Sequence, residues 1–121
     1  MSGTYKVKQV LVVRKDLHMR CGKSCSQTAH ASLGAYKTAD KTDEAFILWD
    51  TTQFAKICLY VNSEEELLEI AGRAQEAGLN VCLIKDSGVT EFHGVYTYTC
   101  LAIGPHWNEQ IDPITKDLKL L

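Results

Sequence analysis

A chain of 121 residues with 45% apolar and 23% charged side chains reads as one globular domain with a single core, not a fibrous, disordered or multidomain protein. No apolar run approaches the ~20 residues of a membrane span, and the first six residues, Met1 to Lys6, lack the apolar core of a secretion signal. The expected compartment is the cytoplasm. The formal net charge of −2 argues against a uniformly basic nucleic-acid binder, yet the charge is segregated. Residues 1–37 carry +6 and residues 38–77 carry −6, so the first third could still steer a phosphate backbone to one face.

In chain order, residues 1–7 are a loose lead-in and a buried strand runs from about Lys8 to Arg14, built on Val10-Leu11-Val12-Val13. A polar turn and the break at Gly22 lead into a helix from about Lys23 to Lys37. Lys23, Gln27 and His30 follow at i, i+4 and i+7 and share one face of it, while Cys25, Ala29, Leu33 and Tyr36 are expected to pack on the opposite one. A cation, an amide and an imidazole are thus aligned on a helix that starts near the end of a strand, where α/β folds place ligands.

Asp40 can cap a second helix that turns Ala45, Phe46, Leu48 and Trp49 inward. Residues 53–61, QFAKICLYV, read as a second strand. Ser63 with Glu66 forms a capping box for a third helix, whose apolar stripe is Leu67, Ile70, Ala71 and Ala74, and Gly78 is its C′ residue. Leu79–Lys85 and Thr97–Ile103 are the third and fourth strands, with a loop from Asp86 to about Tyr96 between them and a short turn and tail after Pro105. The order implies an α/β fold: a three-layer α/β/α sandwich around a mixed four-stranded sheet.

Five cysteines, at 21, 25, 58, 82 and 100, are an odd and scattered set that reads as reduced thiols. His18, Cys21, Cys25 and His30 are metal-ligand types close in sequence, but their spacing fits no zinc pattern. Cys25 is also expected to face the core. No metal is assigned. Asp86 ends the third strand before Ser87-Gly88, where a carboxylate serves equally well as a turn former.

Val12-Val13-Arg14-Lys15-Asp16-Leu17, Met19, Gly22-Lys23, Gln27 and His30-Ala31 together resemble the signature of the second, archaeal/eukaryotic-type family of peptidyl-tRNA hydrolases. Gln53 and Lys56, Asp86-Ser87-Gly88-Val89-Thr90, Thr99 to Pro105 and the ending Ile111–Leu121 agree with it in order. The similarity covers the chain from about Lys8 onward. It implies cleavage of the ester between a peptide and the 3′ ribose of tRNA, the three-layer architecture and a homodimer, with no metal or organic cofactor required.

Such chemistry needs an oriented water, a proton acceptor and donors for the oxyanion. The matching positions are Asp86 for the water, Lys23 for the oxyanion or terminal phosphate, and Gln27 and Thr90 for hydrogen bonding, with Thr99 as a further catalytic position. Arg14, Lys15 and Lys56 are assigned to backbone phosphates, and His30, part of the same motif, is placed with them. The chain departs from the family at Val89, where many members are basic, and at Cys25-Ser26, where a pair of alanines is usual. Arg20-Cys21 replaces a more typical small-plus-basic pair, and the loop 91–98 lacks the proline often found there. An alternative on the same fold is a non-catalytic module that binds tRNA or a protein. Joint retention of Lys23, Gln27, Asp86 and Thr90 favours the enzyme, since a pure binder needs no carboxylate.

Overall fold

A computed structural model describes residues 5–87 and 95–121. The elements are β1 (Val7–Arg14), a 3-10 turn (Lys15–Leu17), α1 (Cys21–Thr38), α2 (Glu44–Asp50), β2 (Lys56–Val61), α3 (Glu64–Glu76), β3 (Val81–Asp86), β4 (Thr97–Trp107), α4 (Asn108–Thr115) and β5 (Lys119–Leu120). They form a mixed five-stranded sheet in the order β3-β4-β1-β2-β5. β1 and β2 are parallel, whereas β4 is antiparallel to both β1 and β3, and β5 is antiparallel to β2. The expected four-strand sheet is therefore corrected to five strands. Residues after Pro105 are no simple tail: β4 continues to Trp107, α4 follows, and the last residues pair with β2 through Leu59–Leu120 and Tyr60–Lys119.

β1 divides the core by alternation, because successive side chains of a strand point to opposite faces. Val10 and Val12 pack with Leu67, Ile70, Ala71 and Ala74 of α3 and Ile111 and Ile114 of α4. Leu11 and Val13 pack instead with Ala31 and Ala35 of α1 and with Cys100 and Ala102 of β4. The α3 stripe read from the sequence is the one that is buried. Its start is also as read: Ser63 Oγ accepts from the Glu66 amide at 3.0 Å, and the Glu66 carboxylate accepts from the Asn62 amide at 2.7 Å. Gly78, at φ +78°, supplies the left-handed residue that ends this helix. The second helix begins later than expected, with Asp43 at its N-cap, because the Asp40 carboxylate is engaged by the amide and hydroxyl of Thr42.

α1 is rotated relative to the sequence expectation. Its buried residues are Gln27, Ala31 and Ala35, whereas Cys25, Ala29 and Leu33 are exposed. The physical reason is close approach. A Cβ added at Gly34 would lie 2.4 Å from Cys82 Sγ, so the face against β3 and β4 must carry small residues. The bulkier flank overhangs β1 and β2, where it lines a groove of about 640 Å3 floored by Leu11 and closed by Trp49, Phe54 and Lys56.

Candidate functional site

The C-terminal ends of β1 and β3 and the start of β4 lie together, since Arg14 is one step beyond the Val13–Cys100 pair and Asp86 pairs with Thr97. α1 begins beside this edge after the 3-10 turn, whose C-cap His18 takes a left-handed conformation at φ 52°. Lys23 on the first turn of α1 thereby meets Asp86 at the end of β3: Nζ donates to Oδ1 at 2.8 Å, with the two side chains only 14% and 12% exposed. Much of the water has been removed from around this pair, so each charge is strongly felt by the other and by anything that enters between them.

One turn along α1, Gln27 is buried and Thr99 is fully buried. The Thr99 hydroxyl donates to Gln27 Oε1 at 2.5 Å. A register shift between Ile84 and Lys85 makes this contact possible. Ile84 pairs with Cys100 and Lys85 with Tyr98, so Thr99 is the extra residue of a β-bulge. In a regular strand Thr99 and Cys100 would face opposite ways. Here both address α1, the Cys100 thiol donating to the Gln27 carbonyl at 3.4 Å. Burial pushes the Cys100 thiol up to about 12, with Thr99 pulling weakly the other way, so it is no nucleophile at neutral pH. With Oε1 held by Thr99, the Gln27 amide nitrogen makes no hydrogen bond among the described residues and remains a donor.

The structure thus brings Lys23, Gln27, Asp86 and Thr99 together. Thr90 lies outside the described residues. The other sequence candidates are spread. Arg14 is held by Asp16 through Nε and Nη2 at 3.2 and 2.7 Å, by the Tyr98 carbonyl at 3.1 Å and by Glu64 at 3.5 Å. Lys15 is exposed at the same edge and lies 4.4 Å over the Tyr60 ring. His30 is exposed on α1, two turns beyond Lys23. Lys56 pairs with Gln9 at the opposite end of β2 from Val61, the partner of Arg14. At ~3.3 Å per residue, that separation is roughly 16 Å. Among the described residues no three His, Cys, Asp or Glu side chains converge as a metal site would require, and the Cys25 expected inside is exposed.

Comparison with known proteins decides the family. The family profile described as Peptidyl-tRNA hydrolase PTH2 matches residues 7–121. The chain belongs to the PTH2 family. It is 44% identical over 115 residues to a peptidyl-tRNA hydrolase of Methanothermobacter thermautotrophicus, covering 95% of this chain and 100% of that protein. It is 47% identical to a peptidyl-tRNA hydrolase of Nanoarchaeum equitans, with 94% and 98% covered. A probable peptidyl-tRNA hydrolase 2 of Drosophila melanogaster is 43% identical, covering 94% of this chain and 61% of that longer protein. Among solved structures, an Agrobacterium protein of unknown function superposes with a TM-score of 0.64 over 98% of this chain and 99% of its own, at 14% identity. That likeness concerns the fold alone.

Two features of the site escaped sequence reading. The pairing of Lys23 with Asp86 joins positions 63 residues apart. The bulge that delivers Thr99 to Gln27 is visible only in the strand register. The sequence carries no signal for it, because Thr97-Tyr98-Thr99-Cys100 alternates polar and apolar as a regular strand would.

Proposed function

We propose that this PTH2 chain hydrolyses the ester linking a peptide, or an N-acylated amino acid, to the 3′ ribose of tRNA. The observation that carries the reading is the juxtaposition of a shielded carboxylate–ammonium pair with an amide whose oxygen is pinned and whose nitrogen has no hydrogen-bond partner among the described residues. The Asp86 carboxylate orients water and accepts its proton as the water attacks the ester carbonyl. The Gln27 Nε2–H and the Lys23 ammonium face the developing oxyanion, stabilising charge that appears only in the transition state. Lys23 also holds the Asp86 carboxylate in place while it waits for water. Thr99 acts through Gln27, and Thr90 donates a further hydrogen bond to the substrate. Collapse of the tetrahedral intermediate expels the ribose 3′ oxygen, which takes a proton and leaves as free tRNA. No acyl-enzyme and no cofactor is invoked.

Phosphate contacts are assigned by position. Lys15 and His30 are exposed near the site, and Arg14 braces the site edge, where a phosphate would have to compete with Asp16 and Glu64 for its guanidinium. Lys56 meets the nucleic acid farther along the chain's surface. A cytoplasmic location, the single domain and the three-layer sandwich belong to the same reading, the last supported by the two cores that alternate along β1. A homodimer is supported by the groove beside α1, where Leu33 is 60% and Phe54 49% exposed. Burying such apolar area against a second copy is favourable.

The decisive experiment is release of the N-acetylated amino acid from charged tRNA, with the unblocked aminoacyl-tRNA as control. Hydrolysis of the blocked ester is expected at a rate that the unblocked one does not match. Tight tRNA binding without turnover of either would instead favour the non-catalytic module.

A further inference from the structure

Beyond the reacting groups, strands β3 and β4 present a second set of side chains on the side of the sheet facing away from α1. Tyr96 is 68% exposed, more than any other aromatic side chain among the described residues. The Lys85 ammonium lies 5.6 Å from the Tyr96 ring centroid and 5.0 Å from that of Tyr98. Tyr98 packs at the margin of the core that holds α3 and α4, so one ring is braced and the other open. These residues interleave with the site: Lys85 precedes Asp86, Tyr98 precedes Thr99, and Asp86 pairs with Thr97 between the two tyrosines. β3 is a terminal strand of the sheet, so an extended ligand can pass round it from one face to the other.

We propose that Tyr96, Tyr98 and Lys85 form a stacking platform for the unpaired bases next to the ester-bearing 3′ terminus of the substrate. This rests on the hydrolase reading and names how that site receives its nucleic acid. The chemistry matches on two counts. Single-stranded bases stack on aromatic faces irrespective of sequence. Lys85, which covers the rings in the free protein, is a flexible cation that can swing to a phosphate when a base takes its place. A platform one strand away from Asp86 would set the ester against the Lys23–Asp86 pair, while the bases rest on the opposite face of the edge strand.

The test uses the full chain and a 5′-fluorescent single-stranded RNA ending in CCA, followed by anisotropy, with a blunt RNA duplex as control. Tyr96→Ala is expected to weaken binding of the single strand by about 5- to 100-fold, the range for loss of one stacked base. Tyr96→Phe should stay within about twofold of the parent, because the ring is retained. Lys85→Ala should reduce the slope of log affinity against log salt by about one. Equal affinity for the blunt duplex, a silent Tyr96→Ala, or a Tyr96→Phe as weak as Tyr96→Ala would overturn the platform. Cleavage of N-acetyl-aminoacyl-tRNA is measured in parallel. A parent protein that binds the single strand through Tyr96 but releases no amino acid would sink the hydrolase reading and leave the platform standing. Normal cleavage with a silent Tyr96→Ala would do the reverse.

Discussion

In the proposed mechanism the hydroxyl of Thr99 sets which end of the Gln27 amide faces the substrate, and Thr99→Val isolates that function. Valine keeps the shape of threonine but removes the donor, in a position that is 0% exposed, against a glutamine that is 5% exposed. Gln27 Oε1 loses its 2.5 Å partner. A buried acceptor left unpaired costs about 1–3 kcal/mol, which for a domain of this size lowers Tm by roughly 3–12 °C. The amide can escape part of that cost by turning over. It then presents a carbonyl oxygen where the oxyanion needs a donor, and loss of one such donor costs about 10²–10³ in rate. Thr99→Val should therefore reduce single-turnover release of N-acetyl amino acid by about 10- to 10³-fold, with the affinity for deacylated tRNA nearly unchanged. Thr99→Ser restores the hydroxyl and should recover the rate to within a few-fold, losing only about 1 kcal/mol of stability with the methyl group. A Thr99→Val protein with lowered Tm but parental rate would make Thr99 a packing residue only. A serine variant as slow as the valine variant would show that the hydroxyl is not what matters.

Asp86→Asn should lower single-turnover rate by about 10²–10⁴, the span of a general base, with tRNA affinity held or improved; a rate within a few-fold of the parent would reduce Asp86 to a turn former. His106 Nε2 accepts from the Asn80 amide at 2.8 Å, and burial lowers its pKa against a weaker opposing pull from Asp43. The unfolded chain therefore binds the proton more readily, so this contribution to stability is complete above the unfolded value of about 6.5 and is lost as pH falls through the folded one. In denaturant melts His106→Gln, which keeps an acceptor, should flatten the loss between pH 7.5 and 5, and an unchanged pH slope would exclude the assignment. If a second copy covers the groove, Leu33→Asp should convert a dimer to a monomer by sedimentation, and Cys25 alkylation should slow with protein concentration in the parent alone. A parent that sediments as a monomer at all concentrations would refute the dimer.

What was legible in the fold follows from which forces are local. The α3 helix could be read completely, because its capping residues and apolar stripe lie within one stretch of chain and report directly on the local backbone. The rotation of α1 could not. Its sequence offers two apolar flanks, and the choice between them depends on Gly34 and Cys82 coming into contact across the molecule. Leu33 looks like a core residue until the small residues Ala31 and Ala35 are seen to permit closer packing, whereas Tyr36 does pack, against the cluster of Val7, Ala45 and Trp49. The fifth strand escaped for a related reason: two residues, Lys119 and Leu120, carry no periodicity, and only the free edge of β2 makes them a strand.

The site divides along the same line. Its residue types could be named from the sequence, but charge counting misjudged how the bases are used. Of the basic first third, Lys8 is paired with Asp112, Arg14 with Asp16 and Glu64, and Lys23 with Asp86. Three of the seven cations behind the formal +6 are thus paired with carboxylates of the molecule, where each fixes an element. In the proposed hydrolysis, that internal pairing is the chemically useful state of Lys23. An ammonium held 2.8 Å from a carboxylate keeps that carboxylate in place, and remains close enough to turn toward an oxyanion as it forms. Long-range attraction is then left to exposed groups such as Lys15, while the shielded pair keeps its strength for the step in which charge develops.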